Sequence, residues 1–428
     1  MILRNSNKLP PATMGRVGRS TLVLGAGLGV TGLGTLVTMS IAARCLPSRE
    51  YGAFVTWWAF ATFCGAIFSV FETYIARDVV TAVSDGNGFR IQVATLSGAA
   101  LVVACGISGS ILISSAWLAR HLFNGNIASV VLLPLFVGVA MLQCLQRGVG
   151  TGRRTFSGNA SQAITDGILR ALFAGAVALA GRHSMNWYAA ATCASAACSL
   201  IVAHAVAPVW VHPRFRDIRR HWMPLLQISS GTVTVMLLLN GSIVWLGNYH
   251  GVSMYTLGAF AGAITLSQVP AQFASAAASP ALSNLSMAID QHRIDEFLSL
   301  RKKMLGWCTF VGALFTVVFA LIGQWALTIY LGRNYFLSRP ELIILATSSS
   351  AILLAQVEQA ALSAKRKWRY IPASWGLGSL SFLSTLFLPI EPLTRALLAP
   401  LAGSVVVFMV FTSIETLEHR KQYKEFLT

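Results

Sequence analysis

The sequence predicts an all-α polytopic membrane protein whose twelve transmembrane helices form two six-helix, pseudo-symmetric lobes. Three observations carry this expectation. Of 428 residues, 55% are apolar and only 11% charged, where soluble domains carry about 25% charged residues. Apolar stretches of about 20 residues, the length that crosses a bilayer core, recur twelve times. Lys and Arg alternate from loop to loop, as orientation in a membrane requires.

The apolar runs cover 20–43, 53–74, 91–116, 127–145, 160–180, 185–207, 224–246, 254–279, 304–331, 341–363, 370–389 and 394–415. With the N-terminus inside, the cytoplasmic segments hold 24 of the 32 Lys and Arg residues, the opposite side holds 7, and Arg170 lies within a span. The positive-inside rule therefore predicts both termini in the cytoplasm. The same topology accounts for the formal net charge of +17, so nucleic acid is not expected as a partner.

Residues 1–19 read as a basic cytoplasmic tail. The apolar run that follows is too long for the core of a signal peptide and lacks an obvious cleavage site, so it is expected to remain as the first helix. Residues 20–207 form the N-terminal lobe, 208–223 a basic cytoplasmic connector, 224–415 the C-terminal lobe and 416–428 a cytoplasmic tail. The connector, rich in Arg between Pro208, Pro213 and Pro224, has room for a short interfacial helix. Cys45, Cys64, Cys105, Cys144, Cys193, Cys198 and Cys308 are scattered through or beside apolar runs, and read as small core residues without a disulfide framework. The eight histidines show no ligand spacing, so neither a metal site nor a cofactor is expected.

An internal repeat supports two lobes. A shift of 213 residues sets Leu118-Ala119-Arg120-His121-Leu122-Phe123 against Leu331-Gly332-Arg333-Asn334-Tyr335-Phe336. A shift of 212 sets Arg153-Arg154-Thr155-Phe156 against Lys365-Arg366-Lys367-Trp368. Six helices is an even number, so the repeats keep one orientation about an axis along the membrane normal.

The first helix carries Gly27-x-Gly29-x-x-Gly32, a formal dinucleotide fingerprint. No strand precedes it, so the glycines read as a small-residue face for close packing, or as the bend of a flexible helix. The second span ends with Glu72, Arg77 and Asp78. Arg77 and Asp78 fall near the interface, where snorkelling costs little. Glu72 is deeper, and reads either as a carboxylate paired with a neighbouring base or as a cavity or ion-coupling group.

The centre of the chain is Gln143 to Arg170. An apolar run ends at Gln146-Arg147, a glycine-rich basic turn runs through Arg153 and Arg154, and the next run carries Asp166 and Arg170. Arg170 falls near mid-membrane, where an Arg costs at least about 2.5 kcal/mol and normally faces a bundle interior or a watery cavity. Asp166 stands four residues before it, the favourable order for a helical ion pair. The second lobe offers Asn240, Gln268, Gln272, Gln324, Gln356, Glu358 and Gln359, groups that commonly bond between helices or line a cavity. Pro270 is expected to kink the eighth span.

Arg44-x-Leu46-x-x-x-Glu50-Tyr51-Gly52-x-Phe54 after a glycine-rich first helix, with Gln146-Arg147-Gly148 and Gly152-Arg153, resembles the Wzx-like polysaccharide flippases of the MOP exporter superfamily. The resemblance implies a plasma (inner) membrane transporter that flips a polyprenyl-diphosphate-linked oligosaccharide to the outer leaflet by alternating access. It implies a lipid-linked glycan as substrate, membrane lipids as surroundings, and polysaccharide polymerase and glycosyltransferases as partners. A phosphorylated head calls for a cationic cavity, for which Arg170, Arg147, Arg77, Arg153 and Arg154 are the candidates. Asp166, Glu72 and Glu358 are the candidates for ion coupling. The alternative is a cation-coupled drug exporter of the same superfamily, whose organic cations would favour those three carboxylates. A membrane-embedded glycan-transfer enzyme is not expected, because the longest cytoplasmic segment between spans, about 24 residues, leaves little room for a catalytic loop.

Overall fold

The computed structural model describes residues 14–82, 88–153, 156–209, 213–215, 222–249, 251–269, 285, 288–289, 291, 293–365, 367 and 369–427. For 14–24, 77–82, 88–92, 224, 227–228 and 418–427 it describes the backbone alone. The helices are α1 (Met14–Cys45), α2 (Ser48–Ala66), α3 (Ser69–Ala82), α4 (Gly88–Ile113), α5 (Ser115–Leu122), α6 (Ile127–Gly152) and α7 (Phe156–Leu179). They continue as α8 (Met185–Val206), α9 (Trp222–Gly247), α10 (Met254–Ser267), α11 (Ile294–Leu331), α12 (Arg339–Ala364), α13 (Tyr370–Leu386) and α14 (Pro392–Leu427).

Ten apolar helices among the described residues are long enough to cross a membrane, and the shorter α10 and α13 fall in the two remaining apolar runs. The fold is that of a multi-pass membrane protein. Only 11% of the apolar window of α11 is buried within the protein. Its Trp307, Leu321 and Trp325 are each at least 66% exposed, a surface that suits lipid and not water. Helices α1 to α8 pack chiefly on one another, as do α9 to α14, except that α2 packs on α9 and α10 as closely as on its own set.

Four differences from the sequence expectations have physical causes. The second span is two helices, α2 and α3, separated by a turn at Ile67 and Phe68. A Gly/Ser pair sits at the break: Gly65 lies against Phe136 and Ala140, and the Ser69 hydroxyl donates to the Ala66 carbonyl at 2.7 Å. Helix α11 starts at Ile294, ten residues before its apolar run. Asp295 and Glu296 suit its N-terminal dipole, and Phe297 is fully buried with Leu285, Ala288, Ala361 and Ala364. Helix α14 runs on past residue 415 through most of the segment read as a tail. Cys105 is exposed, so of the seven cysteines only Cys64, Cys144 and Cys193 are buried core residues.

The glycines of α1 need a correction too. A side chain on Gly29 or Gly32 would meet nothing within 4 Å, whereas one on Gly34 would run into the Gly167 backbone and one on Gly27 would stand 3.3 Å from the Ala160 carbonyl. The packing face is Gly27, Thr31 and Gly34, with the Thr31 hydroxyl donating to the Ala163 carbonyl at 2.7 Å.

The lower face of the bundle is where α1 begins and α14 ends, and the upper face carries the turn at 46–47. Near the upper face the two helix sets meet closely. Arg44 donates to the Ile329 carbonyl, and the rings of Tyr51 and Tyr335 meet edge to face at 5.6 Å. Gly52 faces Met254, and Gly247 faces Thr56. Helix α3 also touches α9. At the lower face Arg214, in the connector, bonds through its backbone N–H to the Ala94 carbonyl at 2.8 Å, a contact that Gly98 leaves room for. The connector's other Arg residues, and Pro270, lie outside the described residues.

Candidate functional site

The polar interior of the first set of helices is built where close backbone contacts let side chains reach across. Helix α7 crosses α1 at Gly34 and Gly167. Removing both side chains there brings Thr35 within reach of Arg170, one turn beyond Gly167. Arg170 Nη1 donates to Thr35 Oγ1 at 2.8 Å, Nη2 pairs with Asp166 Oδ2, and the guanidinium lies 4.8 Å from the ring centroid of Trp58. The second Asp166 oxygen accepts from Ser195 Oγ on α8 at 3.2 Å. Asp166 and Arg170 are 7% and 8% exposed, so the pair is removed from solvent. From α7's first residue, Arg170 is about 21 Å along the axis. The i,i+4 pair expected from the sequence is thus formed, and four helices hold it.

One layer lower is a second pair. Gly148 lets the backbone of Glu72 approach α6, since a side chain on Gly148 would stand 2.9 Å from the Glu72 carbonyl. Arg147 Nε then donates to Glu72 Oε2 at 2.9 Å, and Arg147 Nη2 to Cys144 Sγ at 3.1 Å. Gln146-Arg147-Gly148 is not part of the turn the sequence suggested but lies inside α6, which runs on to Gly152: glycine provides the approach and arginine uses it. The side chains of Arg147 and Glu72 are 31% and 27% exposed, so this pair is less enclosed than Asp166 and Arg170. Asn159 closes the layer, donating to the Arg147 carbonyl at 3.1 Å and to Thr151 Oγ1 at 2.9 Å.

Glu358 belongs to a different cluster. It is fully buried on α12 and accepts two bonds from Arg301, at 2.9 Å from Nε and 2.6 Å from Nη2. Lys365 bonds Glu415 at 2.6 Å with its ammonium 4.9 Å from the Phe297 ring centroid. The structure therefore does not bring Glu358 together with Asp166 and Glu72. Arg153 is exposed at the lower end of α6, about 9 Å below Arg147 along the axis. The side chain of Arg77, and Arg154 altogether, lie outside the described residues.

Sequence reasoning missed Thr35, Trp58, Ser195, Arg301, Lys365 and Glu415 as partners. One signal was available. A carboxylate inside an apolar run, such as Glu415, needs a base, but which base depends on helix packing.

The fold has solved relatives. The chain is similar to the inward-facing conformation of a multidrug resistance MATE family transporter of the MOP superfamily, at 11% identity and TM-score 0.71, over 94% of this chain and 99% of that one. It is also similar to the outward-facing conformation of such a transporter, at 13% identity and TM-score 0.63, over 96% of each chain. A third is a MOP superfamily transporter from Pyrococcus furiosus, described as having a binding pocket of reverse polarity that suggests a different function, at 12% identity and TM-score 0.61, over 93% and 95%. No family model and no curated protein sequence matches the chain. The chain shares the fold of these solved transporters.

Proposed function

We propose that the protein flips a polyprenyl-diphosphate-linked oligosaccharide from the cytoplasmic to the outer leaflet of the plasma membrane by alternating access, with both termini in the cytoplasm. One observation carries the choice of substrate. The buried carboxylates of the described interior are each paired with a base: Asp166 with Arg170, Glu358 with Arg301, and Glu415 with Lys365. Glu72, less buried, is paired with Arg147. An organic cation entering such an interior would first have to displace an arginine or a lysine. A diphosphate instead competes for the arginine, whose planar fork binds phosphate oxygens in pairs.

In this mechanism Arg170 leaves Asp166 for the diphosphate, Trp58 keeps the guanidinium over its face, and Asp166 takes up a proton. Arg147, released from Glu72, with Arg77, Arg153 and Arg154 toward the cytoplasmic end, draws the anionic head in. Glu358 has no part in this path, because Arg301 already satisfies both its oxygens. The glycan rides between the lobes while the prenyl chain stays in lipid. The solved transporter with a pocket of reverse polarity supports the idea that this fold accommodates more than one charge class of substrate.

The reading is tested by thermal shift of the purified protein with a polyprenyl diphosphate and, separately, with a lipophilic organic cation. Stabilisation by the diphosphate, reduced in Arg170→Lys, is expected. Stabilisation by the cation alone would favour the drug-exporter alternative.

A further inference from the structure

Between the two ion pairs of the first lobe lie polar atoms that no group among the described residues satisfies. Gln162 is 2% exposed, and neither its Nε2 nor its Oε1 has a hydrogen-bond partner among the described residues. Gln146 is 6% exposed and its Nε2 is likewise unpartnered, as is Arg170 Nε. A buried polar group without a partner costs about 1–3 kcal/mol, so burying two amides in this state would be a heavy penalty. Ordered water normally removes it, where two to four polar groups converge.

The helix register brings these groups together. Helices α6 and α7 run antiparallel, and Gly150 stands against Asn159. Counting one turn upward on each puts Gln146 level with Gln162, and one turn more on α7 reaches Asp166. We propose that ordered water fills this seam between α6 and α7, and that it carries protons from the Glu72–Arg147 pair at the lower side to Asp166.

The seam has one partly exposed end, at Glu72 and Arg147, and one closed end, at Asp166. The charged group on Asp166 is Arg170 of its own helix, and the next by register is Arg147, beside Gln146 on α6 and paired with Glu72 of α3. Helices α1, α2 and α8 contribute Thr35, Trp58 and Ser195, which carry no charge. Gln146 and Gln162 hold the waters and are not themselves proton carriers. A proton entering at the lower end passes from water to water and ends on a carboxylate oxygen of Asp166. The neutral acid then no longer holds Arg170, which keeps its charge. The use of this step in transport rests on the flippase reading, but the water and the proton path do not.

Two substrate-free measurements on the full-length protein in nanodiscs test it. The first is X-ray hydroxyl-radical footprinting, in which radicals arise from bound water itself. Ser195→Cys, at a fully buried position bonded to Asp166 at the closed end, is the reporter, and Cys64, 4% exposed in the apolar core, is the control. Oxidation of the introduced thiol is expected several-fold faster than that of Cys64, falling to the Cys64 rate when Gln162→Leu is added. Equal rates in the folded Ser195→Cys protein, its folding checked by thermal denaturation, would overturn the water. The second is infrared detection of protonation after a light-triggered proton release, the Asp166 band being the one that Asp166→Asn removes. Its rise is expected to slow several-fold in Gln162→Leu. An unchanged rate, or no such band, would overturn the proton path.

Discussion

A methyl group on Gly258 would stand 2.6 Å from Cε1 of Tyr335 and 3.0 Å from Cε1 of Tyr51. The upper contact between the two helix sets therefore closes because this position has no side chain. Gly52 makes the neighbouring contact, where a Cβ would lie 3.7 Å from the Cβ of Met254, close to the separation of about 3.8 Å found in disulfides. In a cysteine-free background, Gly52→Cys with Met254→Cys is expected to cross-link under mild oxidation and to stop transport, because alternating access needs these ends to part. Adding Gly258→Val should lower the cross-linking yield. Cross-linked protein that transports at the normal rate would contradict lobe separation at this face.

The α1–α7 crossing gives a stability contrast within one helix. Gly34→Ala or Gly167→Ala forces a side chain into the facing backbone, and overpacking of this kind costs about 1–3 kcal/mol. Gly29→Ala and Gly32→Ala enter open space, and alanine's helix preference of up to about 1 kcal/mol should make them neutral or stabilising. Thermal denaturation of the four variants separates the two pairs. Equal losses at all four would contradict the crossing.

In the second lobe, Glu358→Gln leaves the partly buried Arg301 without its counter-charge, and destabilisation of up to about 3 kcal/mol is expected. Replacing both residues with Leu should be close to neutral. The same measurement, made for transport, should show the double variant active. A folded but inactive double variant would return Glu358 to the coupling machinery.

Orientation follows from the Lys and Arg distribution. Reporter fusions after Pro213 and after Arg366 should report cytoplasm, and those after Arg49, Gly251 and Arg333 the outside. An external reading after Arg366 would break the twelve-span topology.

The apolar runs that become membrane helices were legible because each depends on local chemistry, about 20 apolar residues between basic loops, whereas the break at Ile67 and Phe68 and the extensions of α11 and α14 were not. The Asp166–Arg170 pair was legible for the same reason, four residues on one helix. The pair of Glu72 and Arg147 was not, since 75 residues separate them and their meeting depends on the backbone approach at Gly148. The dinucleotide-like spacing drew attention to Gly29 and Gly32, while the tight contact falls on Gly34, because only the crossing angle decides which glycines face a partner. The repeat aligned Phe123 with Phe336, yet Phe123 is fully buried and Phe336 is 68% exposed. Tyr335, one position earlier, fills the buried place against Tyr51 and Tyr255. Glu358 stood out as a lone carboxylate in an apolar run, and its bidentate partner on α11 was hidden because the apolar run there begins only after Arg301.

The central claim is that Arg170 takes the diphosphate and Asp166 the proton, and it is tested most directly by flipping of a lipid-linked oligosaccharide in reconstituted vesicles, normalised to folded protein. Replacing Asp166 and Arg170 together with Leu and Met removes a buried pair whole, a change that is often neutral for stability. The double variant is expected to fold yet leave substrate on the leaflet where it began, and Arg170→Lys to recover part of the wild-type rate, because a lysine supplies charge without the paired donors. Flipping at the wild-type rate by the double variant would contradict the account.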